Sequence, residues 1–259
     1  MTLLDRIVEA KREELAAQMA AVGLEAVKNR ARAGATARSL KAAVSAPGLS
    51  IIAEFKRRSP SLGGIDENAD AAAVARRYEA AGADGISVLT ERAHFGGGPR
   101  DLIKVKEATG LPVLRKDFIF DAYQVFEAKA LGADAVLLIA RILEGEALAG
   151  MLDACFEASV EAFVEVHDER ELERALEAGA DLIGVNNRDL ATLEVDLSVV
   201  ERLRPLVPEG VRLVSESGCR SRGDVERLSD IGVDAVLIGG ALMEASNTED
   251  KFAELFGRE

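Results

Sequence analysis

The stretch GADGISVL (residues 82–89) carries a pattern that decides the fold, because it returns three more times along the chain. The later copies are GADAVLLI (residues 132–139), GADLIGV (residues 179–185) and GVDAVLIG (residues 232–239). In each copy a helical pattern ends at the glycine, which adopts a left-handed cap conformation at little cost. An apolar run follows the aspartate, so each copy predicts the end of a helix and then a buried strand.

The spacing of these copies predicts how many strands the fold contains. Their glycines lie 50, 47 and 53 residues apart, which leaves room for two strand–helix units in each interval. Four further strand candidates are Ser50–Lys56, Pro112–Lys116, Ala162–Val166 and Val211–Glu216. Eight strands alternating with helices are typical of a closed (β/α)8 barrel. An open doubly wound sheet is the alternative, and the lack of a Gly-x-Gly-x-x-Gly turn after the first strand disfavours it.

The whole chain, residues 1–259, is predicted to form one α/β domain, a single (β/α)8 or TIM barrel. No proline-rich or low-complexity linker divides the sequence. Residues 1–48 precede the first strand, and we expect them to form an N-terminal helical extension. The spacing of Leu4, Ile7, Val8 and Leu15 gives an apolar helical stripe that would pack on the barrel.

The composition narrows the classes of partner. Of the 259 residues, 48% are hydrophobic and only 4% are aromatic, so aliphatic side chains must fill the core. The formal net charge of −13 disfavours nucleic acid and anionic membrane surfaces, since both attract basic patches. We therefore expect a small-molecule ligand, and an anionic ligand must be met by local clusters of Lys and Arg.

Two further features concern cellular location and metal binding. No apolar stretch reaches the ~20 residues of a membrane span. The N-terminal segment MTLLDRIVEAKREELAAQMA lacks the apolar block of a signal peptide, so a cytoplasmic protein is expected. Cys155 and Cys219 are too few and too far apart for a disulfide framework or a metal knuckle, and no metal-ligand set is visible in the sequence.

Charged side chains end four of the predicted strands. In barrels of this type reactive groups lie at the C-terminal ends of the strands. Alternation places Glu54 and Lys56 on the inner face of the first strand, while Lys116, Glu165 and Glu216 end the third, fifth and seventh. A ring of structural ion pairs is the alternative for each residue alone. Ionisable groups that converge from four strands fit an acid–base site better.

The glycine-rich ends of the last two strands predict a phosphate site. Ser217-Gly218 and Gly239-Gly240 offer backbone N–H groups near the start of a helix, where the helix dipole favours an anion. The usual phosphate site of these barrels follows strands seven and eight. Ser59 on the first loop adds a hydroxyl group, and that loop is predicted to fold over a ligand. Tight turns alone are the alternative explanation for the glycines.

Seven segments, in chain order, resemble those of indole-3-glycerol phosphate synthases. They are IIAEFKRRSPSLGGI, ISVLTERAHFGGG, PVLRKDFIFDAYQV, FVEVHD, IGVNNRDL, LVSESG and LIGGALM. The N-terminal segment LLDRIVEAKREEL resembles the extra leading helix of this family. The resemblance covers essentially the whole chain, and the Glu-x-Lys-x-x-Ser-Pro-Ser and Leu-Arg-Lys-Asp-Phe segments are its most specific parts.

The resemblance implies a lyase of tryptophan biosynthesis that needs no cofactor and no metal. Its substrate would be 1-(2-carboxyphenylamino)-1-deoxyribulose 5-phosphate, which loses CO2 and water to give indole-3-glycerol phosphate. Lys116 would be the general acid, Glu165 the base in the dehydration, and Lys56 the group that assists departure of the hydroxyl. The residues that would orient the lysines and the sugar hydroxyls are Glu54, Asn186 and Glu216. The expected unit is a monomer.

The resemblance also implies a set of binding residues. The phosphate would be held by Ser59, Ser217, Gly218, Gly239 and Gly240, with Lys56 in reach. Arg188 would bind the benzoate carboxylate, because a guanidinium group matches a carboxylate in bidentate fashion. The aromatic pocket would be lined by Phe95, Phe118, Leu137 and Leu190. Two positions depart from the family pattern, since Leu62 replaces a frequent basic residue and Gly240 a more usual Ser or Glu.

Two alternative functions stay open at this point. One is a barrel that binds phosphate ligands without catalysis, although simple binding does not require Lys56, Lys116 and Glu165 together. The other is an enzyme similar to phosphoribosylanthranilate isomerase. That family resembles a pattern with Cys at the end of the first strand and Asp at the end of the sixth. This chain has Glu54-x-Lys56 and Asn186 there.

Overall fold

The computed structural model describes residues 2–61, 63–189 and 192–257. Within these ranges eight parallel strands close into a barrel in which each strand pairs with its neighbours in the chain and the last pairs with the first. The strands are β1 (Ser50–Phe55), β2 (Gly85–Leu89), β3 (Val113–Lys116), β4 (Ala135–Ile139), β5 (Glu161–Val166), β6 (Leu182–Asn186), β7 (Arg212–Glu216) and β8 (Ala235–Ile238). The predicted (β/α)8 barrel is confirmed, and strand ends differ from the expected ones by about one residue.

Helices surround the barrel and alternate with its strands. In chain order they are α1 (Leu3–Ala21), α2 (Leu24–Arg32), α3 (Leu40–Ala43), α4 (Ala71–Ala80), α5 (Pro99–Ala108), α6 (Ala122–Ala130), α7 (Ala147–Ala158), α8 (Glu169–Glu177), α9 (Ser198–Leu203), α10 (Arg222–Asp230), α11 (Gly240–Met243) and α12 (Thr248–Phe256). Single 3-10 turns cover Ala140–Ile142 and Arg204–Leu206, and a short antiparallel pair joins Arg58–Ser59 to Gly63–Gly64 in the loop after β1. No helix in these parts of the chain combines the length and apolar character needed to cross a bilayer.

The glycines of the repeat end helices as the sequence predicts. Gly82, Gly132, Gly179 and Gly232 have φ angles of 93°, 95°, 90° and 76°, in the left-handed region that favours glycine. They lie two residues after the ends of α4, α6, α8 and α10, and three residues before β2, β4, β6 and β8. The repeat therefore forms the turn between helix and strand in every second unit of the barrel.

Three aspartates of the repeat bind the start of a neighbouring strand. The carboxylates of Asp84, Asp134 and Asp234, here called the lower aspartates, each accept a 2.8 Å hydrogen bond from a backbone N–H. The donors are Ile51 of β1, Val113 of β3 and Leu213 of β7. These N–H groups lie at or next to the first residue of their strands, and a buried N–H without a partner is costly. The lower aspartates therefore fasten the N-terminal end of the barrel.

Apolar side chains fill the inside of the barrel beneath its C-terminal mouth. They include Ile52, Leu114, Leu137, Phe163, Val214 and Leu237. A Cβ atom on Gly184 of β6 would collide with the Phe163 ring and with the Glu216 carboxylate. Glycine is therefore required at this position for the packing directly under the mouth. A second apolar layer, which includes Phe55, packs the strands against the helices.

Helix α1 lies on the barrel through the predicted stripe, with one correction. Leu4, Ile7 and Leu15 are buried as expected, but Val8 is only partly buried and Lys11 takes its place in the stripe. Leu3, Leu4 and Ile7 also line the cavity at the C-terminal mouth. The helical extension therefore covers part of that mouth, in addition to packing on the barrel wall.

Candidate active site

A cavity opens at the C-terminal ends of the strands, where the sequence places the reactive groups. All six proposed catalytic residues line it, and they are here called the mouth cluster: Glu54, Lys56, Lys116, Glu165, Asn186 and Glu216. The cavity is also lined by nine of the proposed binding residues: Ser59, Phe95, Phe118, Leu137, Arg188, Ser217, Gly218, Gly239 and Gly240. Leu190, the tenth, lies outside the described residues, as does Leu62.

Lys116, the last residue of β3, lies at the centre of the mouth cluster. Its Nζ atom is 2.7 Å from Glu216 Oε2 and 3.1 Å from Glu165 Oε2. Burial favours the neutral amine, but the carboxylates of Glu216, Glu165 and Glu54 outweigh burial and raise the pKa of Lys116 above its ordinary value. Lys116 therefore carries a proton at neutral pH and holds it facing the cavity.

Glu54 and Lys56 form a second ion pair at the end of β1. Strand alternation turns Glu54 inward and Phe55 towards the helices, as the sequence predicts. Lys56 Nζ donates to Glu54 Oε1 at 2.5 Å. A Cβ atom on Gly239 would collide with the Glu54 carboxylate and lie 2.9 Å from Lys56 Nζ. Gly239 is thus needed to give this ion pair its space, independently of any phosphate contact.

The two carboxylates that share Lys116 differ in their electrostatics. Burial, together with the charges of Glu165 and Glu54, raises the pKa of Glu216 to about 7 despite Lys116. Burial would also raise the pKa of Glu165, but the charges of Lys116 and His167 and a hydrogen bond from Asn186 hold it below its ordinary value. Glu216 Oε1 is buried without a hydrogen-bond partner among the described residues. The site therefore pairs one firmly ionised carboxylate with one that titrates near neutrality.

The proposed phosphate loops show an unusual backbone after β7. Ser217 and Gly218 are consecutive residues with positive φ, 63° and 92°. A left-handed conformation is uncommon for a residue other than glycine, and it costs on the order of 1 kcal/mol for Ser217. Gly239 follows β8 and Gly240 begins α11, and both line the cavity with Ser217 and Gly218. The two turns are brought together as the sequence predicts, and phosphate binding by them stays a prediction.

Another part of the cavity lining is aromatic. The rings of Phe95 and Phe118 lie 6.4 Å apart between centroids and are tilted by 40°. Phe95 is positioned by the buried Glu91, whose carboxylate accepts hydrogen bonds from the backbone N–H groups of Ala93, His94 and Phe95. Sequence analysis missed Glu91, although a carboxylate two residues after β2 was a signal for it.

Arg188 lies at the edge of the cavity with its side chain half buried. Its Nη1 atom donates to the Leu193 carbonyl oxygen at 2.9 Å, and no described carboxylate lies within ion-pair distance of it. Burial, and then the positive charge of Arg220, lowers the pKa of Arg188. A partly desolvated guanidinium beside a second one favours an anionic ligand, which agrees with the predicted carboxylate contact.

Two ionic contacts next to the mouth cluster were not predicted. Lys11 of α1 binds Asp117, with Nζ 3.0 Å from Oδ1, and both side chains are buried. Asp117 follows Lys116 directly, so the contact ties the helical extension to the end of β3. The signal in the sequence was the register of Lys11 with Ile7 and Leu15. The second contact is that of His167, which is buried behind Glu165 with Nε2 3.4 Å from Glu165 Oε1 and does not line the cavity.

A solved structure with the same fold is that of 3-hexulose-6-phosphate synthase from Salmonella typhimurium. It superposes with a TM-score of 0.63 at 16% sequence identity, over 80% of this chain and 96% of that chain. A likeness at this level of identity concerns the fold alone.

Sequence relatives are much more similar. The chain is 46% identical over 255 residues to an indole-3-glycerol phosphate synthase of Parafrankia sp. (strain EAN1pec), covering 98% of this chain and 95% of the relative. It is also 46% identical to one of Mycobacterium avium (strain 104), covering 98% and 93% respectively. The sequence profile of the indole-3-glycerol phosphate synthase family matches residues 4–255. The chain therefore belongs to the indole-3-glycerol phosphate synthase family.

Proposed function

We propose that this chain converts 1-(2-carboxyphenylamino)-1-deoxyribulose 5-phosphate into indole-3-glycerol phosphate, CO2 and water, as a lyase of tryptophan biosynthesis. Family membership supports the reaction. The observation that carries it is the position of Lys116, whose ammonium group lies between Glu165 and Glu216 and faces a cavity with an aromatic side and a glycine-rich side. We also expect the active unit to be a monomer.

Lys116 acts as the general acid in ring closure. The anilino ring carbon that bears the carboxylate attacks the ribulose carbonyl carbon, and the carbonyl oxygen takes a proton from Lys116. CO2 then leaves the same ring carbon, and its bonding electrons restore the aromatic ring. The carboxylates that raise the pKa of Lys116 keep it protonated until negative charge develops on the carbonyl oxygen.

Glu165 and Lys56 act in the dehydration. The hydroxyl formed in ring closure leaves as water with a proton from Lys56, while Glu165 accepts the proton released as the indole double bond forms. The lowered pKa of Glu165 keeps it ionised and ready for this step. Glu54 and Glu216 hold the two lysines by the ion pairs described above, and Asn186 holds Glu165 by a hydrogen bond.

The remaining residues bind the two ends of the substrate. The phosphate is held by Ser59 and by the turns Ser217-Gly218 and Gly239-Gly240. The benzoate ring packs against Phe95, Phe118 and Leu137, and its carboxylate binds Arg188. Binding both ends places the reacting carbons together, and such positioning supplies a large part of the barrier reduction in ring closures.

Indole fluorescence gives a direct test of this function. Purified protein mixed with the anilino-deoxyribulose phosphate, with EDTA present, is expected to give a growing signal. Lys116→Ala is expected to lower kcat by ~10²–10⁴-fold without unfolding the protein, because it removes the general acid. Lys104→Ala is the matched control. Lys104 lies in α5, pairs with Asp70 at the surface and does not line the cavity. Circular dichroism checks the fold of both variants.

The fluorescence assay, a binding measurement and an assay with phosphoribosylanthranilate separate the alternatives. A nearly normal rate in Lys116→Ala would remove Lys116 from the acid role. Saturable binding of the substrate without turnover would favour a phosphate-binding barrel that lacks catalysis. Turnover of phosphoribosylanthranilate instead would favour the isomerase.

A further inference from the structure

Behind Glu165, a line of charged side chains leads away from the cavity. His167 follows β5, and its side chain is only 5% exposed. Its Nε2 atom lies 3.4 Å from Glu165 Oε1, and its Nδ1 atom lies 3.0 Å from Glu171 Oε2. The imidazole ring therefore bridges two carboxylates, one in the mouth cluster and one on α8. It does not line the cavity, so it does not reach the substrate.

The outer end of this line is held in place by three elements. Glu171 Oε2 also accepts a 2.8 Å hydrogen bond from the backbone N–H of His167. Glu171 Oε1 accepts from Arg141 Nε at 2.6 Å, and Arg141 belongs to the 3-10 turn after β4. The Glu171 backbone N–H donates to Asp168, the N-cap residue of α8. The position of the imidazole is thus fixed by β5, α8 and the turn after β4.

At the inner end of the line, the charge of the imidazole decides whether Nε2 can donate to Glu165. Nε2 lies within ion-pair distance of Glu165 Oε1, yet it has no hydrogen-bond partner of good geometry among the described residues. A neutral ring can donate from only one of its two nitrogens, whereas a protonated ring presents a donor to each carboxylate. Burial would lower the pKa of His167, but the hydrogen bond to Glu171 and the charges of Glu165 and Glu171 raise it above 6.5.

We propose that protonated His167 is a positioning residue for Glu165. It attracts Oε1 from behind the site, so that Oε2 stays against Lys116 and the carboxylate stays ionised. The inference rests on the proposed function, which makes Glu165 the base of the dehydration. The charged groups that face His167 are Glu165 from its own strand, Glu171 from α8 and Arg141 from the turn after β4.

A purely structural role for His167 makes a different prediction. If the ring only joined β5 to the start of α8, the contact of Nδ1 with Glu171 and the backbone hydrogen bond would be enough. His167→Asn keeps a short amide group near Glu171 and removes the group that reaches Glu165. A structural role would then change stability without changing the protonation of Glu165, and a positioning role would change that protonation.

The first experiment uses NMR and needs no substrate. The sequence contains two histidines, so His94→Asn leaves His167 as the single imidazole signal. In this background we expect the pKa of His167 to lie above 6.5 and to fall by about one unit when Glu165 is changed to Gln, because one of two neighbouring charges is removed. An imidazole pKa that does not move in Glu165→Gln would overturn the inference.

The second experiment measures kcat against pH in the full-length enzyme. Loss of the positive charge behind Glu165 raises the pKa of this carboxylate, so His167→Asn is expected to move the acidic limb of the kcat profile up by about one pH unit. KM should change little, because His167 does not line the cavity. His94→Asn is the matched control, and its acidic limb should coincide with that of the wild type.

The two proposals fail in different ways. Wild-type protein without turnover would overturn the proposed function, whereas the NMR titration would still show whether His167 is coupled to Glu165. Wild-type turnover with an unchanged acidic limb in His167→Asn would overturn the positioning role alone. Turnover, a shifted limb and a coupled titration together support both proposals.

Discussion

The two ends of the barrel both carry buried or partly buried carboxylates, but these have different kinds of partner. At the N-terminal end the lower aspartates face backbone N–H donors that the strands hold in place. At the C-terminal end the carboxylates of the mouth cluster face lysines and one another, and Glu216 Oε1 has no hydrogen-bond partner among the described residues. One end satisfies its charges within the fold, and the other keeps hydrogen-bonding capacity for a ligand.

This difference teaches how to distinguish stability from chemistry in a barrel of this kind. Buried polar groups that are fully hydrogen-bonded stabilise a fold or are neutral to it, whereas incompletely satisfied ones cost free energy. The raised pKa of Glu216 is a sign of that cost. Substitutions at the lower end should therefore affect unfolding, and substitutions at the mouth should affect turnover.

The largest expected effect that tests this contrast is at the lower end. Asp134→Asn removes the charge that binds Lys106 at 2.6 Å and weakens the bonds from Val113 and Arg38. We expect the free energy of unfolding to fall by about 3 kcal/mol, because the ion pair of the buried Asp134 with the partly buried Lys106 is broken. Urea denaturation measures this, and kcat per folded molecule should not change.

The third copy of the repeat supplies the control for this prediction. Asp181 pairs with Lys41 at 2.6 Å, but both side chains are substantially exposed. Asp181→Asn should therefore cost less than about 1 kcal/mol. Equal losses in the two variants would contradict the view that burial of the aspartate decides its contribution.

A smaller effect is expected from Gly239→Ala at the mouth. The new methyl group would occupy the space of the Glu54 carboxylate, and those side-chain atoms can move without displacing the backbone. We expect kcat/KM to fall about tenfold through misplacement of Glu54 and Lys56, with little change in stability. Steady-state kinetics and thermal unfolding measure the two quantities.

Gly150→Ala is the matched glycine substitution. Gly150 lies within α7, and a Cβ atom there would contact nothing within 4 Å. This variant should keep its activity and gain slightly in stability, since alanine favours a helix. A loss of stability in Gly239→Ala with unchanged kcat/KM would reverse the contrast between the two ends.

The last expected effect concerns pH and Glu216. Its pKa is about 7 in the folded protein and 4.5 ordinarily, so between these values the folded chain binds more protons than the unfolded chain. The contribution of Glu216 to stability therefore falls as the pH rises through that window. Glu216→Gln should remove this fall, which we expect to be about 2.5 kcal/mol between pH 5 and pH 8. Urea denaturation of both proteins at pH 5 and pH 8 measures it, and parallel losses would contradict the raised pKa.

Local patterns explain why much of the fold and the site was predictable from the sequence. The repeated glycines and apolar runs report helix ends and buried strands directly, and β8 closing on β1 follows from the number of strands. The mouth cluster was predictable because alternation along a strand decides that Glu54 faces inward and Phe55 outward. Its assignment to individual chemical roles came from the family resemblance.

Contacts between distant segments were not predictable in this way. Lys11 and Asp117 are separated by 106 residues, and no local pattern indicates that a lysine in an apolar stripe meets a carboxylate after β3. The donors to the lower aspartates lie on other strands, and the repeat itself does not indicate them. The direction of His167 was likewise decided by Glu171 on α8, after the strand pattern had ended.

The packing of Phe163 over Gly184 has a consequence for the entry of substrate and the exit of product. Apolar side chains fill the barrel beneath the mouth. Among the described residues, the interior is therefore packed and contains no channel from one end to the other. Substrate and product therefore both pass through the C-terminal mouth, which α1 partly covers. Product and incoming substrate then cannot occupy the mouth at the same time, so a new substrate enters only after the product has left.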